Sequence, residues 1–134
     1  MSEYDNGHIL VSQSCKRLTD AGVKVNLGAH GQLQGLGVHW ELWMLAQGGM
    51  TNMEALRAGT LNGANYIGMD DHIGSLEEGK LADLIILDKN PLEDIQNSNS
   101  VIYTMINGRL YDTETMNEIG NYDKPRRQFY WERD

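Results

Sequence analysis

The chain has 134 residues, of which 40% are apolar, so it is long enough for one domain with a core. Its formal charge of −8, from 11 Lys plus Arg against 19 Asp plus Glu, repels phosphate backbones and argues against a nucleic-acid partner. The sequence has neither a membrane-spanning apolar run nor a signal peptide, and its single cysteine, Cys15, fits a reducing compartment. The default expectation is a cytoplasmic protein with no membrane partner.

The first elements in chain order form one helix–strand step. From Ile9 to Ala21, apolar residues recur at i, i+4 and i+7 with charged residues between them, and Gly22 follows at the stop position. This spacing predicts an amphipathic helix. Val23 to Leu27 then alternates apolar and polar side chains before Gly28, which predicts a short strand that ends in a loop.

A glycine-rich loop at residues 28–37 leads into a second predicted helix with the sequence VHWELWMLAQ. Trp40, Trp43 and Met44 on this helix are expected in the core, because a helix of this composition has to pack against a larger body. The alternative for these three side chains is an aromatic substrate box.

A third helix is predicted from Thr51 to Gly68. Thr51 and Glu54 have the spacing of a capping box, in which each side chain accepts the backbone N–H of the other residue. Gly59 and Gly63 lie one turn apart inside this helix, and each costs about 1 kcal/mol relative to Ala. We therefore expect another element to pack closely on that face.

The sequence changes character after Gly68 and predicts a small antiparallel β-unit. The uninterrupted apolar run Leu84–Leu87 predicts a strand buried on both faces. A second run, Val101–Ile106, meets the sequence RLY across Asn107-Gly108, which is a strong hairpin signal because both turn residues tolerate positive φ. From Asp112 on, the sequence predicts a short helix and a polar tail that lies on the surface or docks on a partner.

Residues 50 to 111 carry a resemblance to a known family. The segment EALRAGTLNGANYIGMDDHIGSLEEGKLADLIILDKNPL, continued by VIYTMINGRLY, resembles the end of the amidohydrolase superfamily. The upstream stretch VNLGAHGQLQGLGVHWELWMLAQGG resembles bacterial amidohydrolases that are fused behind a TolB-like β-propeller. The resemblance implies an α/β fold: the last β/α portion of a (β/α)8 barrel at residues 1–72, a small antiparallel β-unit of a composite β-sandwich at 73–111, and a polar tail at 112–134.

The resemblance also implies a divalent metal cofactor, with zinc as the expected ion, in a longer parent protein. In the superfamily, one or two metals are held by a His-x-His pair, a carboxylated Lys or a Glu, two further His and an Asp after the eighth strand, and they activate a water molecule. This chain has no His-x-His pair. We therefore expect no tightly bound metal in this chain by itself. On the family pattern Val23–Leu27 is the eighth strand, and His30 stands at the position of the Asp.

His30 is accordingly the candidate catalytic residue and metal ligand, with a backbone-bonded loop histidine as its alternative. Gln32, His39 and Glu41 are candidate substrate-binding residues. A His and a Glu at a helix start can instead have structural roles, and a Gln in a glycine-rich loop can be solvated. Asp83 is interpreted as a framework residue that fixes a turn. The remaining charged candidates are assigned to the surface: His8, His72, Asp70, Asp71, Arg126 and Arg127.

The leading functional hypothesis is a metal-dependent hydrolase of C–N bonds in a small amide, cyclic amide or peptide-like substrate, with the isolated chain inactive. A second hypothesis is a non-catalytic module that forms a homo-oligomer, in which the Trp40/Trp43 helix or a strand edge is buried. A third is a small binding protein that holds a ligand in loop 28–37. The chain lacks the glycine fingerprint of a nucleotide site.

Overall fold

The computed structural model describes residues 7–31, 33–120 and 124–133. Within these ranges, helices come first and a four-stranded antiparallel sheet follows. The helices are α1 (Gly7–Asp20), α2 (Leu36–Gln47), α3 (Asn52–Ala58) and α4 (Leu61–Tyr66). The strands are β1 (Leu84–Leu87), β2 (Val101–Ile106), β3 (Arg109–Asp112) and β4 (Glu118–Ile119), and 3₁₀ helices cover Ile95–Asn99 and Tyr130–Glu132. No helix in these ranges is long and apolar enough to cross a membrane.

The buried core lies where α2, α3 and the first 3₁₀ helix meet. Its buried members are Leu42, Leu45, Met50, Ala55, Ala58 and Ile95. Trp43 packs against this core, but Trp40 and Met44 are each 37% exposed, so the prediction that all three side chains are core residues is wrong for two of them. The reason is geometric, because one face of α2 covers the core and the opposite face has no partner among the described residues.

Helix α1 reaches this core through a close contact with the end of α2. Ser12 is the one buried residue of α1, and a Cβ built on Gly48 would lie 2.3 Å from the Cβ of Ser12. A glycine is therefore required at position 48 by the approach of the α1 backbone.

The capping box at Thr51 is confirmed. The Thr51 hydroxyl accepts the N–H of Glu54 at 3.2 Å, and a Glu54 carboxylate oxygen accepts the N–H of Thr51 at 2.7 Å. This contact from the Thr51 backbone, followed by its hydroxyl and the Lys16 ammonium, lowers the pKa of Glu54 below its ordinary value. The start of α3 therefore follows directly from local sequence.

The single helix predicted from Thr51 to Gly68 is wrong, because it breaks into α3 and α4. Thr60 leaves the helical region at φ −134° and ψ −96°. The Leu27 N–H donates to the carbonyl of Ala58 at 3.2 Å. Ala58 is the last residue of α3, so a residue outside the helix satisfies the carbonyl at which α3 ends. A Cβ on Gly59 would lie 2.9 Å from Leu27 Cδ1, so the close packing expected at this glycine is present. At Gly63 no atom lies within 4 Å of such a Cβ.

The segment Val23–Leu27 does not form the predicted strand. A strand needs a neighbouring strand to pair with its backbone, and here the helices take those hydrogen bonds instead. Besides the bond from Leu27, the Val25 carbonyl accepts the side-chain N–H of Asn62 at 3.0 Å. These contacts fix the point at which the glycine-rich loop begins.

The sheet has the order β1-β2-β3-β4, which leaves β1 at an edge. The predicted strand at Leu84–Leu87 is confirmed, but its burial on both faces is wrong, since Ile85 is 51% and Ile86 38% exposed. The hairpin is confirmed: Asn107 and Gly108 have φ of 48° and 77°, as a two-residue turn of this type requires.

Asp83 has the turn-fixing role predicted for it. One carboxylate oxygen of Asp83 accepts the N–H of Asn107 at 2.6 Å, and the Ala82 carbonyl accepts the N–H of Gly108 at 3.1 Å. The residues that precede β1 therefore hold the tip of the hairpin between β2 and β3.

The described part of the region after Asp112 contributes regular elements to the fold. It adds β4 to the sheet, and its short helix is the 3₁₀ helix Tyr130–Glu132. The Glu118 side chain on β4 is buried and accepts two hydrogen bonds from the Arg109 guanidinium, at 2.8 and 2.5 Å. These bonds are the main reason that the pKa of Glu118 is lowered.

Candidate functional site

The candidate site is the glycine-rich loop that connects residue 27 to α2. Gly31 and Gly35 adopt positive φ, at 71° and 82°, where a side chain would be strained. At the start of the loop, the Gly28 N–H donates to a Glu41 carboxylate oxygen at 2.9 Å. At its end, the Gly37 N–H donates to the Leu33 carbonyl at 2.8 Å. The first bond ties the start of the loop to α2, and the second closes a local turn where the loop enters α2.

His30 lies in this loop in a conformation that few non-glycine residues adopt. Its φ is 55°, in the left-handed region, and its side chain is exposed. The imidazole makes no hydrogen bond with any residue in the ranges 7–31, 33–120 and 124–133, whereas the ring of His8 bonds Gln47 at 3.1 Å. Residues held in such sparsely populated backbone conformations cluster at functional sites.

His39 has a structural partner rather than an open site. Its Nδ1 lies 3.1 Å from the hydroxyl of Ser98, which also accepts the indole N–H of Trp43 at 3.0 Å. An indole can only donate, so the Ser98 hydroxyl hydrogen is available to the Nδ1 of a neutral imidazole. Burial lowers the pKa of His39 below its ordinary value, which favours this neutral form.

The hydrogen-bond cluster of His39, Trp43 and Ser98 joins α2 to the 3₁₀ helix at Ile95–Asn99. The Trp43 N–H also reaches the carbonyl of Ile95 at 3.0 Å. Ser98 is only 3% exposed. Sequence reasoning did not single out Ser98, because it lies 59 residues from His39 and no local pattern connects the two.

Of the four site residues predicted from the sequence, the three that the structure describes make no hydrogen bond to one another. Glu41 holds the loop backbone through Gly28, His39 is bound to Ser98, and His30 is exposed on the loop. The prediction for Gln32 lies outside the described residues. Within this region, the hydrogen bond between Gly28 and Glu41 connects the start of the loop that carries His30 to α2.

The described residues do not fit a catalytic metal by themselves. Among them, no group of three His, Cys, Asp or Glu side chains is arranged to hold a metal ion. A catalytic zinc site normally takes three protein ligands plus water. The pair Asp70-Asp71 also has an ordinary explanation, because Asp70 accepts the side-chain N–H of Asn65 at 2.9 Å, which is the main cause of its lowered pKa.

The sequence model of the Amidohydrolase family matches residues 10–111. The chain belongs to the amidohydrolase family. A relative from Teredinibacter turnerae, 5-methylthioadenosine/S-adenosylhomocysteine deaminase, is 34% identical over 117 residues, which cover 75% of this chain and 26% of the relative. Ochratoxinase of Aspergillus niger is 36% identical over 95 residues, which cover 68% of this chain and 20% of that protein.

Solved structures give the same family by fold. A Xaa-Pro dipeptidase superimposes with a TM-score of 0.68 and 33% identity, over 76% of this chain and 25% of that one. Molinate hydrolase superimposes with a TM-score of 0.65 and 30% identity, over 75% of this chain and 26% of that one. This amidohydrolase chain thus spans between a fifth and about a quarter of the length of these four proteins.

Proposed function

We propose that this chain is the C-terminal part of a metal-dependent amidohydrolase, to which it supplies the last β/α portion of a (β/α)8 barrel and the small β-unit after it. The observation that carries the proposal is the family match over residues 10–111, which includes loop 28–37 and His30. Deaminases and dipeptidases break C–N bonds, and both are among the relatives. The proposed reaction is hydrolysis of such a bond in a small amide, cyclic amide or peptide-like substrate.

In this proposal residues 23–27 pair with neighbouring barrel strands of the longer protein, and His30 acts from the loop at the C-terminal end of that strand, where the active sites of such barrels gather. Its imidazole can accept a proton or donate a hydrogen bond to substrate, but it carries no negative charge to offset a metal. Glu41 contributes indirectly, because it anchors the loop at Gly28. Apart from His30, the ligands of the divalent metal, zinc by family resemblance, are assigned to residues outside this chain.

The experiment that tests this function begins with the reading frame upstream of Met1. A continuous frame that encodes a His-x-His pair is expected, and a TolB-like β-propeller is proposed ahead of it, on the resemblance of residues 25–49. The upstream polypeptide and this chain are then produced together and assayed with Xaa-Pro dipeptides and cyclic amides, with zinc or manganese added.

Turnover is expected only when both polypeptides are present. His30→Ala is expected to lower kcat by about 10²–10⁴-fold, the range for loss of a positioned acid or base. His72→Ala is the matched control, because His72 is also exposed in a turn. An upstream frame without metal-binding motifs, or equal turnover for the two variants, would contradict the proposal.

A second candidate function is self-association of this chain, and it is favoured by an apolar stripe along α2. Leu36, Trp40 and Met44 are spaced by four residues and are 49%, 37% and 37% exposed. The second surface is β1, at the edge of the described sheet, where Ile85 and Ile86 are exposed on opposite faces of the strand. We infer that a second copy of the chain covers one of these two surfaces in a symmetric dimer.

Light scattering at increasing concentration tests this association. A dimer mass is expected for the unmodified chain, and Trp40→Lys or Ile85→Lys is expected to give a monomer, according to which surface is used. Tyr66→Lys is the control, because Tyr66 is 82% exposed but lies on neither surface. A monomeric mass at tens of micromolar together with a cooperative melt would refute the dimer.

A further inference from the structure

The tip of the β2–β3 hairpin is an Asn-Gly step, a pair of residues that is prone to spontaneous deamidation. The reaction needs only water. The glycine nitrogen attacks the side-chain carbonyl carbon of asparagine, ammonia leaves, and the resulting succinimide ring is opened by water to aspartate or isoaspartate. Glycine favours the attack because it has no side chain to obstruct the nitrogen. The chain has three such steps, Asn6-Gly7, Asn62-Gly63 and Asn107-Gly108.

The hairpin turn exposes the reacting side chain but holds the backbone in a conformation that does not permit ring closure. Asn107 and Gly108 are both exposed, and the side-chain amide of Asn107 makes no hydrogen bond with any residue in the described ranges. Their φ values of 48° and 77° are those of a type I′ turn. To form the ring, the Cα–C bond of Asn107 must rotate until the Gly108 nitrogen faces the side-chain carbonyl carbon.

Two hydrogen bonds from the segment before β1 oppose that rotation. A carboxylate oxygen of Asp83 accepts the Asn107 N–H at 2.6 Å, and the Ala82 carbonyl accepts the Gly108 N–H at 3.1 Å. Together these two bonds form a clamp on the turn. The second bond engages the very nitrogen that would attack, and that nitrogen must lose its proton before it can act as a nucleophile. Ring closure therefore requires the clamp to open first.

The other Asn-Gly step in the described ranges is restrained in a different way. Asn62 lies in α4, and its side-chain N–H donates to the carbonyl of Val25 at 3.0 Å. This contact involves neither residue of the clamp. Asn62 is therefore a reference within the same molecule, because its deamidation rate should rise when the whole chain unfolds but not when only the hairpin tip opens.

We propose that Asn107-Gly108 is a self-modifying site, at which Asn107 deamidates to aspartate and isoaspartate at a rate set by the clamp. The Gly108 nitrogen forms a bond to Cγ of Asn107 as the bond from Cγ to Nδ2 breaks. The proton of that nitrogen leaves with ammonia, and one water molecule is consumed when the ring opens. The site goes beyond the proposed hydrolase function and uses none of its residues.

The products are expected to prevent the turn from closing again. Isoaspartate adds one CH2 group to the backbone between Ile106 and Arg109, which are register partners on either side of a two-residue turn. Both products also place a new carboxylate on the residue whose N–H is bound by the carboxylate of Asp83, so that two like charges come close together. Deamidation thus opens the hairpin tip irreversibly.

Peptide mapping of the full 134-residue chain, incubated at mildly alkaline pH, tests the proposal. Mass spectrometry separates amide from acid, and isoaspartyl methyltransferase labels isoaspartate. A peptide of the sequence MINGRL, residues 105–110, has the same Asn-Gly step without the clamp. Asn107 in the folded chain is expected to react about 25-fold more slowly than this peptide, the product of about fivefold for each of the two hydrogen bonds.

Variants at Asp83 assign this protection to the clamp. Asp83→Ala removes one bond and is expected to raise the rate at Asn107 about fivefold, with the rate at Asn62 unchanged. Asp83→Asn keeps an acceptor oxygen and is expected to restore most of the protection. Asp88→Ala is the matched control, because Asp88 is also exposed and its side chain makes no hydrogen bond with a described residue.

Three results would overturn the proposal: equal rates at Asn107 in the folded chain and in the peptide, an unchanged rate at Asn107 in Asp83→Ala, or an equal rise at Asn62 and Asn107. The last result would mean that global folding, and not the clamp, protects the site. If Asp83→Ala does not fold, hydrogen exchange of the unmodified chain decides. The exposed amides of Asn107 and Gly108 are expected to be protected, and unprotected amides would refute the clamp.

Discussion

The contact between α1 and the end of α2 predicts that Gly48→Ala destabilises the chain by steric conflict alone. Gly48 has φ −77° and ψ −1°, which alanine adopts without strain, so backbone conformation contributes no cost. The added Cβ would lie 2.3 Å from Ser12 Cβ, 2.4 Å from the Ser12 carbonyl carbon and 2.7 Å from the Gln13 nitrogen.

The size of the effect follows from those distances. Carbon atoms in contact are normally about 3.5–4.0 Å apart, so the α1 backbone would have to retreat by about 1 Å. Two of the three obstructing atoms are backbone atoms, which no rotamer change can move. Overpacking of this kind typically costs about 1–3 kcal/mol. We therefore expect the free energy of unfolding to fall by that amount.

Gly63→Ala is the matched control, because it is the same substitution inside α4 with no atom within 4 Å of the new Cβ. It is expected to stabilise the chain by about 1 kcal/mol, the helix propensity difference. Urea unfolding followed by circular dichroism gives both values, and hydrogen exchange shows whether the amides of α1 lose protection in Gly48→Ala. If the two variants have equal stability, α1 does not pack against Gly48 and the reasoning is refuted.

Three further predictions concern pH, the hairpin and metal. Burial lowers the pKa of His39 in the folded state, so the unfolded state binds more protons once the pH is below about 6.5. The free energy of unfolding is therefore expected to fall as the pH drops below about 6.5. Urea titrations should show a shallower fall for His39→Gln. Asp83→Ala is expected to cost about 1 kcal/mol through loss of the bond to Asn107, whereas Asp88→Ala should be neutral, as measured by thermal melts. Dialysed protein is expected to retain no stoichiometric zinc or manganese and to show no amidase activity; retained metal that His30→Ala releases would contradict this.

The sequence by itself determined the features that depend on neighbouring residues. The capping box at Thr51 needs only residues three apart, and the hairpin at Asn107-Gly108 needs only two residues that tolerate positive φ. The family resemblance over residues 50 to 111 also came from local motifs, and the family match over 10–111 confirms it. These features can be predicted without the rest of the fold because the interactions that produce them are local.

Features that depend on distant partners were decided by the tertiary structure. Residues 23–27 have the alternation of a strand, but their hydrogen bonds go to Ala58 and Asn62, so no strand forms. For the same reason the helix after Thr51 breaks at Thr60. The Leu27 N–H donates to the carbonyl of Ala58, the last residue of α3. The sequence pattern of a segment indicates which secondary structure it can form. Whether that structure forms depends on hydrogen-bond partners supplied by residues tens of positions away.

The candidate site shows the same division. The glycines of loop 28–37 and the position of His30 were apparent from the sequence, since glycine-rich loops after an alternating segment have a local signature. The hydrogen bonds between Gly28 and Glu41 and between His39 and Ser98 could be identified only from the fold. They join residues that are 13 and 59 positions apart in the sequence. A carboxylate or imidazole has the same chemistry in either role, and only its partner in three dimensions decides whether it holds the structure or faces a ligand.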